Sequence, residues 1–128
     1  MIPRQASETL RRLSRGFPVL AITGPRQSGK TTLARATFTD KPYVSLESPD
    51  TRGFAESDPR AFLAGFPEGA ILDEVQRTPD LFSYLQGVVD EDPRMGRFIL
   101  TGSQQFDLRS RITQSLAGRV GLVHLLPF

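Results

Sequence analysis

A chain of 128 residues is the usual size of a single domain and is long enough to bury a hydrophobic core. Its 38% hydrophobic residues, nine of them Phe, and 23% charged residues of mixed sign describe a packed globule rather than a disordered segment. The absence of Cys excludes disulfides, thiol catalysis and thiolate metal sites, a single His excludes a histidine-rich metal site, and a net charge of +2 makes no global case for nucleic acid.

Met1-Ile2-Pro3-Arg4-Gln5 lacks the apolar stretch of a signal peptide, and no apolar run approaches a membrane span. A cytoplasmic location with no membrane partner is therefore expected, in keeping with the missing cysteines. Ser7 is expected to cap a short helix whose Leu10 and Leu13 share a face. Phe17 to Thr23 is apolar without alternation, as in a strand covered on both sides. A glycine-bounded turn leads into a helix over Lys30 to Phe38, and Tyr43 to Leu46 is a second strand. Asp58-Pro59 is a cap followed by proline at the first helical position, with Phe62 and Phe66 behind it. Ala70-Ile71-Leu72 is a third strand ending in Asp73-Glu74. Thr78-Pro79 starts a helix with Leu81, Leu85 and Val88 as its inner stripe. Arg97 to Thr101 is a fourth strand, Leu108, Ile112 and Leu116 mark another helix, and Val120 to Leu126 is a fifth strand. Strands alternating with helices imply right-handed crossovers and a parallel sheet, hence a three-layer α/β domain over residues 1–128.

Between the first strand and its helix stands Gly24-Pro25-Arg26-Gln27-Ser28-Gly29-Lys30-Thr31, a full match to the phosphate-binding loop G-x-x-x-x-G-K-S/T in its required context. Glycines let the backbone wrap closely around oxygen atoms. Successive N–H groups and the positive end of the helix then stabilise phosphate charge. Lys30 would reach between the β- and γ-phosphates, and the Thr31 hydroxyl would ligate Mg²⁺. Of the 16 basic side chains only Lys30 and Lys41 are lysines, which makes the placing of Lys30 more pointed. A chance match in a chain of this length is well below about 1% at ordinary glycine usage.

The third strand delivers its acids to the carboxyl edge of the sheet, where open α/β folds bind ligands. Asp73 is placed to hold magnesium through its water shell, and Glu74 is a candidate to polarise an attacking water. Alternation along a strand would send the two carboxylates to opposite sides. Alone, such a pair is more often an ordinary acidic strand end entering a turn. Thr101, Ser103 or Gln104, at the tip of the fourth strand, could present a polar group to a γ-phosphate, or could simply build a turn. The chain has no Asn that could stand there. Leu100 to Gln104 also has a superficial likeness to the transporter ATPase signature, but it follows the acidic strand instead of preceding it.

The combination of Gly24-Pro25-Arg26-Gln27 with Gly29-Lys30-Thr31-Thr32-Leu33, then Leu72-Asp73-Glu74-Val75-Gln76-Arg77, Leu100-Thr101-Gly102-Ser103 and Ser115-Leu116-Ala117-Gly118-Arg119, resembles an AAA-type P-loop ATPase family of bacteria and archaea. The resemblance spans nearly the whole chain. It implies an additional-strand sheet in the order 5-1-4-3-2, with ATP and Mg²⁺ as cofactors. It further implies that the segment from Gly24 to Thr32, with Ser103, binds the nucleotide, that Thr31 and Asp73 serve the metal, and that Glu74 and Lys30 serve catalysis. Family members carry this domain at the N-terminus and continue into a C-terminal domain of unknown function, through which a protein client could be engaged. A truncated N-terminal core is therefore expected. Neither the helical lid of such ATPases nor its second sensor is visible.

Arg119 sits between a helix and the last strand, where such ATPases often place an arginine finger for a neighbour's γ-phosphate, so a homo-oligomer through Arg119 is one expectation. A surface arginine or a salt-bridge partner is the other. Arg109 and Arg111 are weaker finger candidates. Arg26 points either to phosphate or to solvent; Glu47 and Asp58 suit loop bonding and capping; His124 suits a packed or edge position. Arg4, Arg11, Arg12 and Arg15 could touch nucleic acid, though such a run is commonly the solvated face of a helix. A GTPase would need an N/T-K-x-D base-reading motif, which is absent, and a small-molecule kinase would need an acceptor pocket under an Arg-rich lid. Two functions remain open: a slow Mg-dependent ATPase, or a nucleotide-binding switch with negligible turnover.

Overall fold

The computed structural model describes residues 4–25, 29–103 and 105–125, with side chains at all of these except 105–109 and 113. Five strands, β1 (Val19–Thr23), β2 (Tyr43–Ser45), β3 (Ala70–Asp73), β4 (Phe98–Gly102) and β5 (Val120–His124), form one sheet in the order β2-β3-β4-β1-β5. Every pairing is parallel. The expected order 5-1-4-3-2 is this same sheet viewed from its other edge. Among the described residues six α-helices surround it: α1 (Arg4–Ser14), α2 (Lys30–Thr37), α3 (Pro49–Ser57), α4 (Pro59–Ala64), α5 (Leu81–Glu91) and α6 (Gln105–Leu116).

Both faces of the sheet are covered, as the unalternating apolar strands require. Alternate residues of β1 go to different cores. Val19 and Ala21 join Leu72, Phe98 and Leu100 under Phe62, Leu85, Ile112 and Leu116. Leu20 and Ile22 join Ile71 and Ile99 under Leu10, Leu33, Ala34 and Phe38. The inner strands β1, β3 and β4 are buried throughout, whereas the edge strands β2 and β5 are half-exposed. Gly69 shows how tightly the strands are entered. It has φ +90°, and a Cβ there would lie 1.6 Å from the Arg97 carbonyl oxygen. Among the described residues no helix is long and apolar enough to cross a membrane.

Three local expectations change. Ser7 is not a cap: it lies buried within α1, where its hydroxyl meets that of Thr37 at 3.0 Å. The first strand begins at Val19 and not at Phe17, because Pro18 has no N–H to give a ladder; its carbonyl accepts from Arg97 and Phe98 instead. Helix α3 has no counterpart among the expected elements, since it buries only Ala55 and carries no apolar stripe. Asp58, by contrast, caps α4 as expected, accepting from the Ala61 amide at 3.1 Å.

Candidate functional site

The carboxyl ends of β1, β3 and β4 open on the same edge of the sheet, as their register requires. Beyond β1, Gly29 adopts φ 83° and ψ 14°, the left-handed region that glycine enters without a Cβ penalty, and it immediately precedes α2. Gly29 has no side chain with which to cap, so the first N–H groups of α2 keep the positive helix end open to an anion. Lys30 begins that helix, is 6% exposed, and donates from Nζ to the Pro25 carbonyl at 3.3 Å. Thr32 is exposed on the first turn. Arg26, Gln27 and Ser28 lie outside the described residues.

Thr31 links this loop to the acidic strand. Its hydroxyl donates to Asp73 Oδ1 at 2.8 Å. Asp73 receives two further hydroxyls: Thr101, from β4, also donates to Oδ1, and Tyr43, from β2, donates to Oδ2 at 2.6 Å. Burial and then the bond to Asp73 push the Tyr43 phenol up to about 12, so it remains a proton donor at neutral pH. The Arg35 guanidinium lies 4.3 Å above the centre of its ring.

Glu74 has left the strand. Its φ of 58° and ψ of 49° are left-handed, and a single 3₁₀ turn, Val75–Arg77, follows. Strand alternation therefore does not govern how the two carboxylates diverge; the turn does. The Glu74 amide donates to Thr101 Oγ1 at 3.2 Å, while Glu74 Oε1 accepts from Ser103 at 3.0 Å and from the Gln76 amide at 3.3 Å. Gln76 Nε2 also reaches Ser103 Oγ at 3.3 Å. The three polar candidates at the β4 tip thus separate. Thr101 serves Asp73, Ser103 serves Glu74, and Gln104 lies outside the described residues.

Lys30, Thr31, Asp73, Glu74 and Ser103 come together at this edge. Arg119 does not. It precedes β5 at the opposite end of the sheet, beside Val19, where it forms a two-pronged ion pair with Asp90 at 2.6 and 3.0 Å. That contact holds the Asp90 carboxyl below its usual range. Arg111 is exposed, and the Arg109 side chain lies outside the described ones. His124 is on edge strand β5, its Nδ1 3.2 Å from Thr23 Oγ1. Tyr43 and Gln76 are site residues that the sequence did not single out. Tyr43 pairs with Ile71 in the β2–β3 register, so Asp73 lies two residues further along, a relation visible only once that register is known.

Among the described residues no three His, Cys, Asp or Glu side chains cluster as a metal site. The oxygen groups present nonetheless suit Mg²⁺, which is held by few protein oxygens and keeps its waters. Thr31 donates its proton to Asp73 and so keeps its lone pairs for a cation, and Asp73 Oδ2 has an acceptor position to spare. A separate cleft of about 580 Å³ lies between α4 and α5, lined by Arg60, Leu63, Tyr84, Val88, Asp92 and Arg97, and includes none of these groups.

Comparison with known proteins agrees with this architecture. The chain is 40% identical over 123 residues to the uncharacterized proteins Rv2008c of Mycobacterium tuberculosis and Mb2031c of Mycobacterium bovis, matching 95% of its own length and 28% of theirs. In fold it is similar to the Walker-type ATPase PABY2304 of Pyrococcus abyssi, with a TM-score of 0.70 at 20% identity over 98% of this chain and 53% of that one. A DNA replication initiation factor follows, with a TM-score of 0.60 at 18% identity over 98% of this chain and 47% of the other. PCH-2 of C. elegans gives 0.55 at 17% identity over 97% and 41%. At those identities the likeness is one of fold. The model of the AAA domain family matches residues 16–128, nearly the whole length, and the chain belongs to that family of P-loop ATPase-like domains.

Proposed function

We propose that this chain binds ATP with Mg²⁺ at the carboxyl edge of its sheet and hydrolyses it slowly. The observation that carries this is the Thr31–Asp73 hydrogen bond, which joins the phosphate-binding loop to the acidic strand beside buried Lys30. Lys30 exchanges the Pro25 carbonyl for phosphate oxygens, and the open end of α2 adds its partial positive charge. Magnesium supplies charge neutralisation at the β- and γ-phosphates when bound; Thr31 and Asp73 are the residues that would hold it. Glu74 takes a proton from the attacking water at Oε2, because Oε1 is engaged by Ser103 and Gln76.

A nucleotide-binding switch with negligible turnover needs the same cradle, and turnover is what separates the two. Affinity is the first test. Titration of a fluorescent ATP analogue is expected to show binding that weakens on chelating magnesium and is lost, by about tenfold or more, in Lys30→Ala. Wild-type affinity in that variant would sink the assignment of the cradle. The chain spans 28% of the length of the curated relatives it matches.

A further inference from the structure

We propose that Tyr43 is a specificity-determining residue of the cation site, denying a metal two-oxygen coordination by Asp73 and so favouring Mg²⁺ over Ca²⁺. The proposal rests on the assignment of Asp73 to a divalent cation. A carboxylate offers about four acceptor positions. Thr31 and Thr101 take both positions on Oδ1, and the Tyr43 hydroxyl takes one of those on Oδ2. One position is left, enough for the proton of a metal-bound water and too little for direct two-oxygen coordination. Mg²⁺ loses little under that restriction, because it gives up its waters reluctantly and is satisfied by outer-sphere contacts. Ca²⁺ loses more, because it gains its affinity from several direct carboxylate oxygens in a loose geometry.

The phenol is well secured for this role. Its ring is partly buried on β2 and lies beneath Arg35, the basic residue in the last turn of α2. Phenylalanine keeps the ring and the Arg35 contact while deleting the hydroxyl alone. Thr31 and Thr101 would still orient the carboxylate through Oδ1, so Tyr43→Phe frees a coordination position without setting the acid loose.

The test is nucleotide affinity as a function of Mg²⁺ and, separately, of Ca²⁺, in the wild-type chain and in Tyr43→Phe. The ratio of the two half-saturating concentrations is expected to shift toward Ca²⁺ by about threefold to tenfold, the effect of one hydrogen bond. An unchanged ratio in two proteins that both require a divalent cation would overturn the role of Tyr43 and leave the assignment of Asp73 intact. If neither cation alters affinity in the wild type, both fall together. A second measurement holds even where Tyr43→Phe fails to fold. The chain has no Trp and two Tyr, so Tyr84→Phe leaves Tyr43 as its lone strong emitter. Its emission, damped by the bond to Asp73, is expected to hold on adding Mg-ATP and to rise with Ca-ATP. An equal response to the two cations would overturn the proposal.

Discussion

Asp73 accepts hydroxyl protons from α2, β2 and β4, so one carboxylate ties three separately folded elements to the end of β3. Such a group acts on stability as well as on a ligand. Asp73→Asn places an amide among three hydroxyls and cannot accept from all of them, which is expected to cost about 1–3 kcal/mol, read as a lowered urea midpoint at unchanged m. Full stability in that variant would mean that the hydroxyls find water as readily as the carboxylate. Glu74 makes a contrasting case. Glutamine there still accepts from Ser103 and Gln76 through its carbonyl oxygen, so Glu74→Gln is expected to fold and to bind ATP as the wild type does. Its turnover should fall by about a hundredfold or more if the carboxylate is the base. Equal turnover would remove Glu74 from the chemistry.

At the scale of elements, the glycines show where the backbone leaves no choice. Gly69 enters β3 at φ +90° against the Arg97 carbonyl, and Gly69→Ala drives a Cβ into backbone that cannot give way. A loss of more than about 1 kcal/mol is expected there. Gly53 offers the control: it lies within α3, and a Cβ there meets nothing within 4 Å. Gly53→Ala should stabilise the chain by about 0.5–1 kcal/mol through helix propensity. Chemical denaturation of the two variants beside the wild type measures both, and a shift of the same sign in each would contradict the contrast. Helix α3 also marks the limit of apolar pattern as a guide, since an element that buries one alanine leaves almost none. Pro49 stands at its first turn, and Ser48, at the N-cap position, makes no side-chain cap. Ser7 departs from expectation for the opposite reason: a residue fit to cap a helix is taken up inside one, because Thr37 across the interface satisfies its hydroxyl.

Across the whole molecule, the register of β1 and β5 separates Arg119 from the cradle by the full length of a strand, roughly 16 Å at 3.3 Å per residue. An arginine at that distance cannot serve its own chain's γ-phosphate. Arg119→Ala is therefore expected to leave the ATP affinity of the monomeric chain unchanged within about twofold, by the same titration. Weakened binding in a monomer would require a different placing of β5. Where chains assemble, the Asp90 pair would have to open before Arg119 could reach a neighbour, and turnover that rises with protein concentration in the wild type and not in the variant would reveal that role.

The sequence by itself determined the α/β class, the strand–turn–helix setting of Lys30, and the arrival of Asp73 and Glu74 at a strand end, because these depend on neighbours along the chain: hydrophobic period, glycine placement and capping. The strand order came from resemblance, not from pattern. Tertiary structure alone decided which hydroxyls meet which carboxylate oxygen. Tyr43, Thr101 and Ser103 acquire their carboxylate partners only when β2, β3 and β4 lie side by side in one register, and contacts across strands carry no period that a single chain can display.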